Sequence, residues 1–365
     1  MKKKMMDALL AICVLLVLVL AIGCGTLQER GGYDLILIGF GLSAEEADSL
    51  EKRVKRNPGN IVARTKLVAY YSYQQFEDPS AQVAKREHVL WLIENAPKSK
   101  MLAVVGSELD SDMDPEAYPK GKALWLAHLE KNPEDLSILG NAAEFFFHAD
   151  KDLAEESLLK AISLDPENPV WPKELGFLYW LGRRSDSAKE SKKMAGKALE
   201  QYEIAYDLTA DNKERSYLLQ DLAENAYEAG EIEKADQFAR DMLSCDIEDW
   251  NTGNNMHHGN IILGKIALQS GEIKKAAEHL IQAGAISGSP QLDSFGPDMT
   301  LAEALLEAGE SDAVLEYFDY CSRFWELANG CLDIWSDSVE KGETPEFENC
   351  RMFGPDWENI LEECE

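Results

Sequence analysis

The stretch IILGKIALQSGEIKKAAEHLIQA, residues 261–283, decides how this chain folds. Leu263 and Ala267, then Ala276, Leu280 and Ala283, recur at intervals of three or four residues, and the pattern breaks at Gly271. That period lines one face of each of two helices, and the glycine lets the chain reverse between them. Gly264 lies where the two helices cross, and a glycine or alanine there lets their backbones approach closely.

Related hairpins flank this one. DLAENAYEAGEIEKADQFARDM carries Ala223, Gly230 and Ala235, and LAEALLEAGESDAVLEYF carries Ala302, Gly309 and Val314. The crossing residues are Ala142, Gly176, Ala223, Gly264 and Ala302, with spacings of 34, 47, 41 and 38. Upstream, prolines punctuate the chain at Pro58, Pro97, Pro133 and Pro166. Each hairpin leaves one apolar face uncovered, so it must stack on the next. The longest spacing points to an extended, polar interhelical loop near residues 183–197, with the helix resuming at Ala198, Tyr202 and Ala205.

These features resemble the tetratricopeptide family, with Leu-Gly and then a tyrosine in the first helix, a small residue at the turn and alanines in the second. WPKELGFLYWLG supplies Trp171, Leu175, Gly176 and Tyr179, with Trp171 one residue too far upstream for the standard spacing. The resemblance spans about residues 45–340 and is clear from 133. REHVLWLIENAP, LGNAAEFF and HHGNIILGKIAL are also similar to segments of bacterial tetratricopeptide proteins of uncharacterised function. The family implies an all-α, right-handed solenoid, here of about seven hairpins, and no reaction or cofactor. Divergent repeats are expected over 43–132, clearer ones over 133–328, and a capping helix with an acidic, cysteine-bearing tail over 329–365.

The chain begins MKKKMMDALLAICVLLVLVLAIGCG. Three lysines before an apolar run predict a signal peptide over 1–23. The run ends in a sequence resembling a bacterial lipobox, with Ala21 where leucine is usual; the resemblance implies lipidation at Cys24. The alternative is an uncleaved signal anchor, since the run is close to the minimum span. Both readings place the rest of the chain outside the cytoplasm. Gly25 implies the outer membrane if the cell is Gram-negative. Residues 24–42 then read as a linker.

That linker contains GFGLSA, residues 39–44, which matches G-x-G-x-x-A. A dinucleotide site requires a strand, a crossover helix and an acidic residue about twenty positions on. The chain has NPGNIVARTKL there instead. Ser43-Ala44-Glu45-Glu46 reads as a capping box opening a helix that stops at Pro58.

Net charge is −30, or −32 without residues 1–23, which hold three lysines and Asp7. Such a field opposes phosphate backbones and favours basic partners. The six histidines form no metal-ligand spacing, because the adjacent His257 and His258 point about 100° apart on a helix. No nucleophile or phosphate motif occurs. No metal, cofactor or catalytic residue is therefore assigned. Cys321, Cys331, Cys350 and Cys364 cluster near the C-terminus outside the cytoplasm, which predicts disulfides. Short-loop closure favours Cys321–Cys331 with Cys350–Cys364 among the three possible pairings. The turn-rich stretch 287–299 reads as a connector with Phe295 tucked beneath the helices.

In the resembled family, groove-facing residues lie six and three before, and one and four after, each crossing residue. Carried onto this chain, these offsets give Phe146, Lys173, Phe177, Trp180, Tyr217, Glu224, Tyr227, His258 and Lys265, followed by Met299 and Glu303. The expected function is non-catalytic: an envelope-anchored scaffold holding a basic peptide or protein in its concave groove. Two rivals are a solute or glycan receptor using Trp180, Tyr217 and Tyr227 as stacking platforms, and an envelope enzyme in which His257 or His258 meets a carboxylate of a neighbouring repeat.

Overall fold

A computed structural model describes residues 35–75, 78–103, 108–111, 114–183, 187–328 and 330–347. Among these residues every regular element is helical and no strand occurs. The chain divides into two compact units, residues 1–178 and 179–365.

The first unit holds α1 (Ala44–Arg56), α2 (Ile61–Gln74), α3 (Pro79–Asn95), α4 (Tyr118–Lys131), α5 (Leu136–Phe146) and α6 (Lys151–Leu164), and most of α7 (Val170–Gly182). Successive helices from α1 to α6 pack on one another. Ser43 and Glu46 form the capping box: the Ser43 hydroxyl accepts from the Glu46 backbone N–H, and the Glu46 carboxylate accepts from that of Ser43. Asn57, Ala96, Asn132 and Asp165 end α1, α3, α4 and α6, so the four prolines fall in the turns. Ala47 and Val54 of α1 close a small core with Ala63 and Leu67 of α2.

The described part of the expected linker is different. Residues 35–40 are helical, and Ile36 and Phe40 are buried with Ala69 and Met101. A Cβ on Gly39 would lie 2.6 Å from both the Ala69 Cβ and the Lys66 carbonyl oxygen. The glycine that imitates a nucleotide motif is thus a helix-contact glycine, which lets this segment lie against α2.

The second unit holds α8 (Ala188–Leu208), the short α9 (Asn212–Ser216), α10 (Leu219–Ala229), α11 (Ile232–Leu243), α12 (Thr252–Gln269) and α13 (Ile273–Gly284). It continues with α14 (Pro290–Phe295), α15 (Thr300–Glu307), α16 (Ser311–Cys321) and α17 (Cys331–Glu340). The opening stretch is the α12–α13 hairpin. Gly230, Gly271 and Gly309 occupy its turn and the two equivalent turns with φ of 79°, 77° and 83°, a region L side chains rarely adopt. A Cβ on Gly264 would meet Leu301 Cδ2 at 2.3 Å and His279 Cβ at 3.2 Å, so α12 lies close to both α13 and α15. Ala142, Ala223 and Ala302 are fully buried at the corresponding crossings.

Two expectations fail here. The extended loop near 183–197 is largely helix: α8 starts at Ala188, capped by the Ser187 hydroxyl, which accepts from the Glu190 N–H. Its polar first turns are exposed or half-buried, while Ala195, Ala198, Leu199 and Tyr202 supply the buried stripe. The Cys321–Cys331 pairing is absent, because Cys321 is a free, buried thiol. Val314, Phe318 and Cys321 continue the α16 stripe into the core, directing the sulfur inward. Cys331 is not a free thiol, and Cys350 and Cys364 lie outside the described residues. So do residues 1–34, with Cys24 and the signal run. Among the described residues no helix is long and apolar enough to cross a membrane.

Candidate functional site

α10 and α12 pack against each other within the second unit. Together with Arg183 and the segment preceding α15 they enclose a cavity of about 170 Å³. Its wall is Arg183, Glu224, Glu228, His258, Ile261, Ile262, Lys265 and Asp298. Glu224 and Glu228 stand one turn apart on α10; His258, Ile261, Ile262 and Lys265 line one face of α12.

The two adjacent histidines have different roles. Their rings meet edge-on at 4.9 Å and 89°. His257 is fully buried; its Nδ1–H donates to the Ala283 carbonyl (3.0 Å), and its Nε2 accepts from the Asp298 N–H (2.9 Å). Only the neutral Nδ1–H tautomer satisfies both partners. Burial, reinforced by His258, accordingly pushes its pKa down to about 3. Tyr317 Oη donates to the Asp298 carbonyl at 2.8 Å, so both sides of that peptide position are held. The Asp298 carboxylate accepts from the Thr300 N–H and hydroxyl at 2.7 and 2.6 Å.

His258 faces the cavity instead, with Nδ1 3.7 Å from Glu224 Oε1 and the side chain 19% exposed. Burial lowers its pKa to about 4 despite Asp298, and Lys265 adds to the lowering. Burial raises the Glu224 carboxyl, although Gln220 Nε2 donates to it at 2.9 Å. Burial would also raise Asp298, but Lys265 and the Thr300 hydrogen bonds outweigh it and hold that carboxyl at about 2. At neutral pH His258 is uncharged and Asp298 is ionised, and the wall sets Arg183 and Lys265 among the carboxyl groups of Glu224, Glu228 and Asp298.

Of the groove residues inferred from the sequence, Glu224, His258 and Lys265 come together here. Tyr227 is adjacent, with the Lys265 Nζ 5.8 Å from its ring centroid. Tyr217 is half-buried and engaged elsewhere: its hydroxyl donates to Asp249 Oδ2 (2.7 Å), and its ring lies 5.2 Å from that of Trp250. Trp180 is half-buried with the Arg183 guanidinium 5.3 Å from its ring centroid. Phe177 is 40% exposed, edge-on to Phe147, and Lys173 is half-buried; both belong to the first unit.

Phe146 does not face a groove. It is fully buried, as is Met299, because apolar side chains at the ends of those offsets are drawn into the packing beneath them. Phe295 is corrected in the opposite sense: it is 41% exposed, while Leu292 fills the core. The 287–299 connector is instead held by Ser289, whose hydroxyl donates to Asn254 Oδ1 at 2.5 Å, and by the His257–Asp298 bond.

Arg183, Glu228 and Asp298 were missed. Arg183 and Asp298 lie in segments read from the sequence only as connectors, and no repeat offset reaches them. The cavity is not an aromatic stacking site, since its wall is charged and aliphatic. His258 and Glu224 stand 3.7 Å apart, beyond hydrogen-bond reach, and no hydroxyl or thiol nucleophile lies in the wall. Among the described residues no group of three or more histidines, cysteines or carboxylates is poised to hold a metal ion. Set beside known proteins, the chain matches no family model and no curated protein.

Proposed function

We propose that this protein is a non-catalytic binding module, a right-handed tetratricopeptide-like stack of hairpins tethered by lipid at Cys24 to the outer face of a membrane. In a Gram-negative cell that membrane is the outer one. Its partner is a basic peptide or protein held along the face where the first helices of the hairpins line up. The observation carrying this reading is the convergence of Glu224, His258 and Lys265, chosen by repeat offsets alone, on one wall. The chain's net charge of −30 favours a basic partner through long-range attraction. Aromatic contact area at Trp180 and Tyr227 would supply the burial that charge does not.

Affinity capture from membranes, comparing the wild type with a Trp180→Ala/Tyr227→Ala double variant, tests it. A prey set lost only from the variant supports the groove, and an unchanged set removes it. Lipidation is tested separately by palmitate labelling, which a Cys24→Ser variant must abolish.

A second reading is favoured by the cavity itself. A small, partly open, charged site of this kind suits a polar solute better than an extended chain. The protein would then be an extracytoplasmic solute receptor, recognising its ligand by charge rather than by aromatic stacking.

A further inference from the structure

We propose that the cavity binds the head group of a free α-amino acid, the ammonium and carboxylate carried on one carbon. The inference rests on the solute-receptor reading and names its ligand class.

Charge is the first argument. The wall presents both signs, with Arg183 and Lys265 against Glu224, Glu228 and Asp298. Among the described residues, the one close contact between titratable groups of the wall is that of neutral His258 with Glu224 at 3.7 Å, and neither Arg183 nor Lys265 is in salt-bridge contact with a carboxylate. The opposed groups are out of contact but act on one another across the cavity, Lys265 on Asp298 and both Lys265 and Arg183 on Glu224. A ligand with one charge would satisfy half of them and be repelled by the rest.

The rigidity of these positions is the second. Glu224 and Lys265 stand on two helices in direct contact. Asp298 is fixed at its N–H by His257, at its carbonyl by Tyr317 and at its carboxylate by Thr300. Asp298 is thus presented to the cavity in a fixed position, and a ligand meets it without reordering that segment.

Size is the third. A water molecule's share of liquid volume is about 30 Å³, so a cavity of about 170 Å³ holds roughly six water-sized groups. The amino-acid head group has roughly five non-hydrogen atoms, counted by the same yardstick. Its carboxylate would lie toward Arg183 and Lys265, and its ammonium toward Glu224 and Asp298. A drug-sized or glycan ligand would not fit. The chain's net −30 ranks lysine and arginine above alanine, and alanine above glutamate.

The test is isothermal titration of the full chain in detergent micelles with L-alanine, L-lysine, L-glutamate, and alanine's two halves, ethylamine and propionate. Saturable binding of alanine, tighter for lysine, with each half about tenfold weaker or worse, is the expected result. Lys265→Met and Glu224→Gln should each weaken alanine by about tenfold. Thermal melts must show those variants folded, and Arg183→Met serves as an independent variant. Ethylamine binding as tightly as alanine would overturn the proposal in favour of a simple cation site. Propionate doing so would leave only an anion site, and no saturable heat with any amino acid would remove the site altogether. Partner capture that still depends on Trp180 and Tyr227 after such a failure leaves the peptide reading standing, so the two fail separately.

Discussion

Asp298 hangs from a histidine 41 residues earlier: its backbone N–H donates to His257 Nε2 at 2.9 Å. The other nitrogen of the same ring donates to the Ala283 carbonyl of α13. One buried imidazole therefore joins α12, the end of α13 and the segment that delivers a carboxylate to the cavity.

Replacing that ring removes two hydrogen bonds at once. His257→Leu leaves the Ala283 carbonyl and the Asp298 N–H buried without their partner. Each such group costs about 1–3 kcal/mol, so the variant should lose roughly 2–6 kcal/mol in urea unfolding. Asp298 should also become mobile, seen as loss of amide exchange protection at that residue.

Acid should destabilise the second unit before most carboxylates titrate. His257 and His258 titrate at about 3 and about 4 when folded, against about 6.5 when unfolded. Below that unfolded value the unfolded chain takes protons that the folded chain refuses, so stability falls as pH drops. From pH 7 to 5 each ring should cost roughly 1–2 kcal/mol. Denaturant titrations should show a shallower fall in His258→Gln than in the wild type.

Glu144, in α5, behaves oppositely. Burial, with Glu174 and Glu108 nearby, raises its carboxyl to about 8. The folded state therefore holds a proton that the unfolded state has lost, and stability declines as pH rises from about 4.5 through 8. Glu144→Gln should match the wild type at pH 5 and exceed it at pH 9 by on the order of 1–3 kcal/mol. Melting temperatures across that range measure the difference.

Gly253, at the start of α12, should not tolerate a methyl group. An added Cβ would stand 1.9 Å from the Gly288 carbonyl oxygen, a backbone atom that cannot rotate away. Helix propensity would favour alanine by about 1 kcal/mol. The clash should reverse that sign and leave Gly253→Ala less stable by roughly 1–3 kcal/mol. Equal or greater stability in thermal melts would show that the 287–289 turn is free to move.

Much of the helical layout was legible in the sequence because local rules act over a few residues. The Ser43–Glu46 box, the turn glycines Gly230, Gly271 and Gly309, and the buried Ala223, Gly264 and Ala302 follow from spacing and backbone chemistry. The site was half legible. Glu224, His258 and Lys265 sit at regular offsets within helices, whereas Arg183 and Asp298 reach the cavity through connectors with no period.

By itself the sequence determined most of the helices from residue 44 on, where they turn and which small residues lie between them, since each depends on neighbours within three or four positions; the helical turns at 35–40 and 188–197 escaped it. Only the tertiary structure decided that His257 supports while His258 faces the cavity, that Cys321 is a core thiol, and that Gly39 is a contact between helices. Those outcomes depend on atoms brought together from distant parts of the chain, and burial changes what a side chain can do without changing its identity.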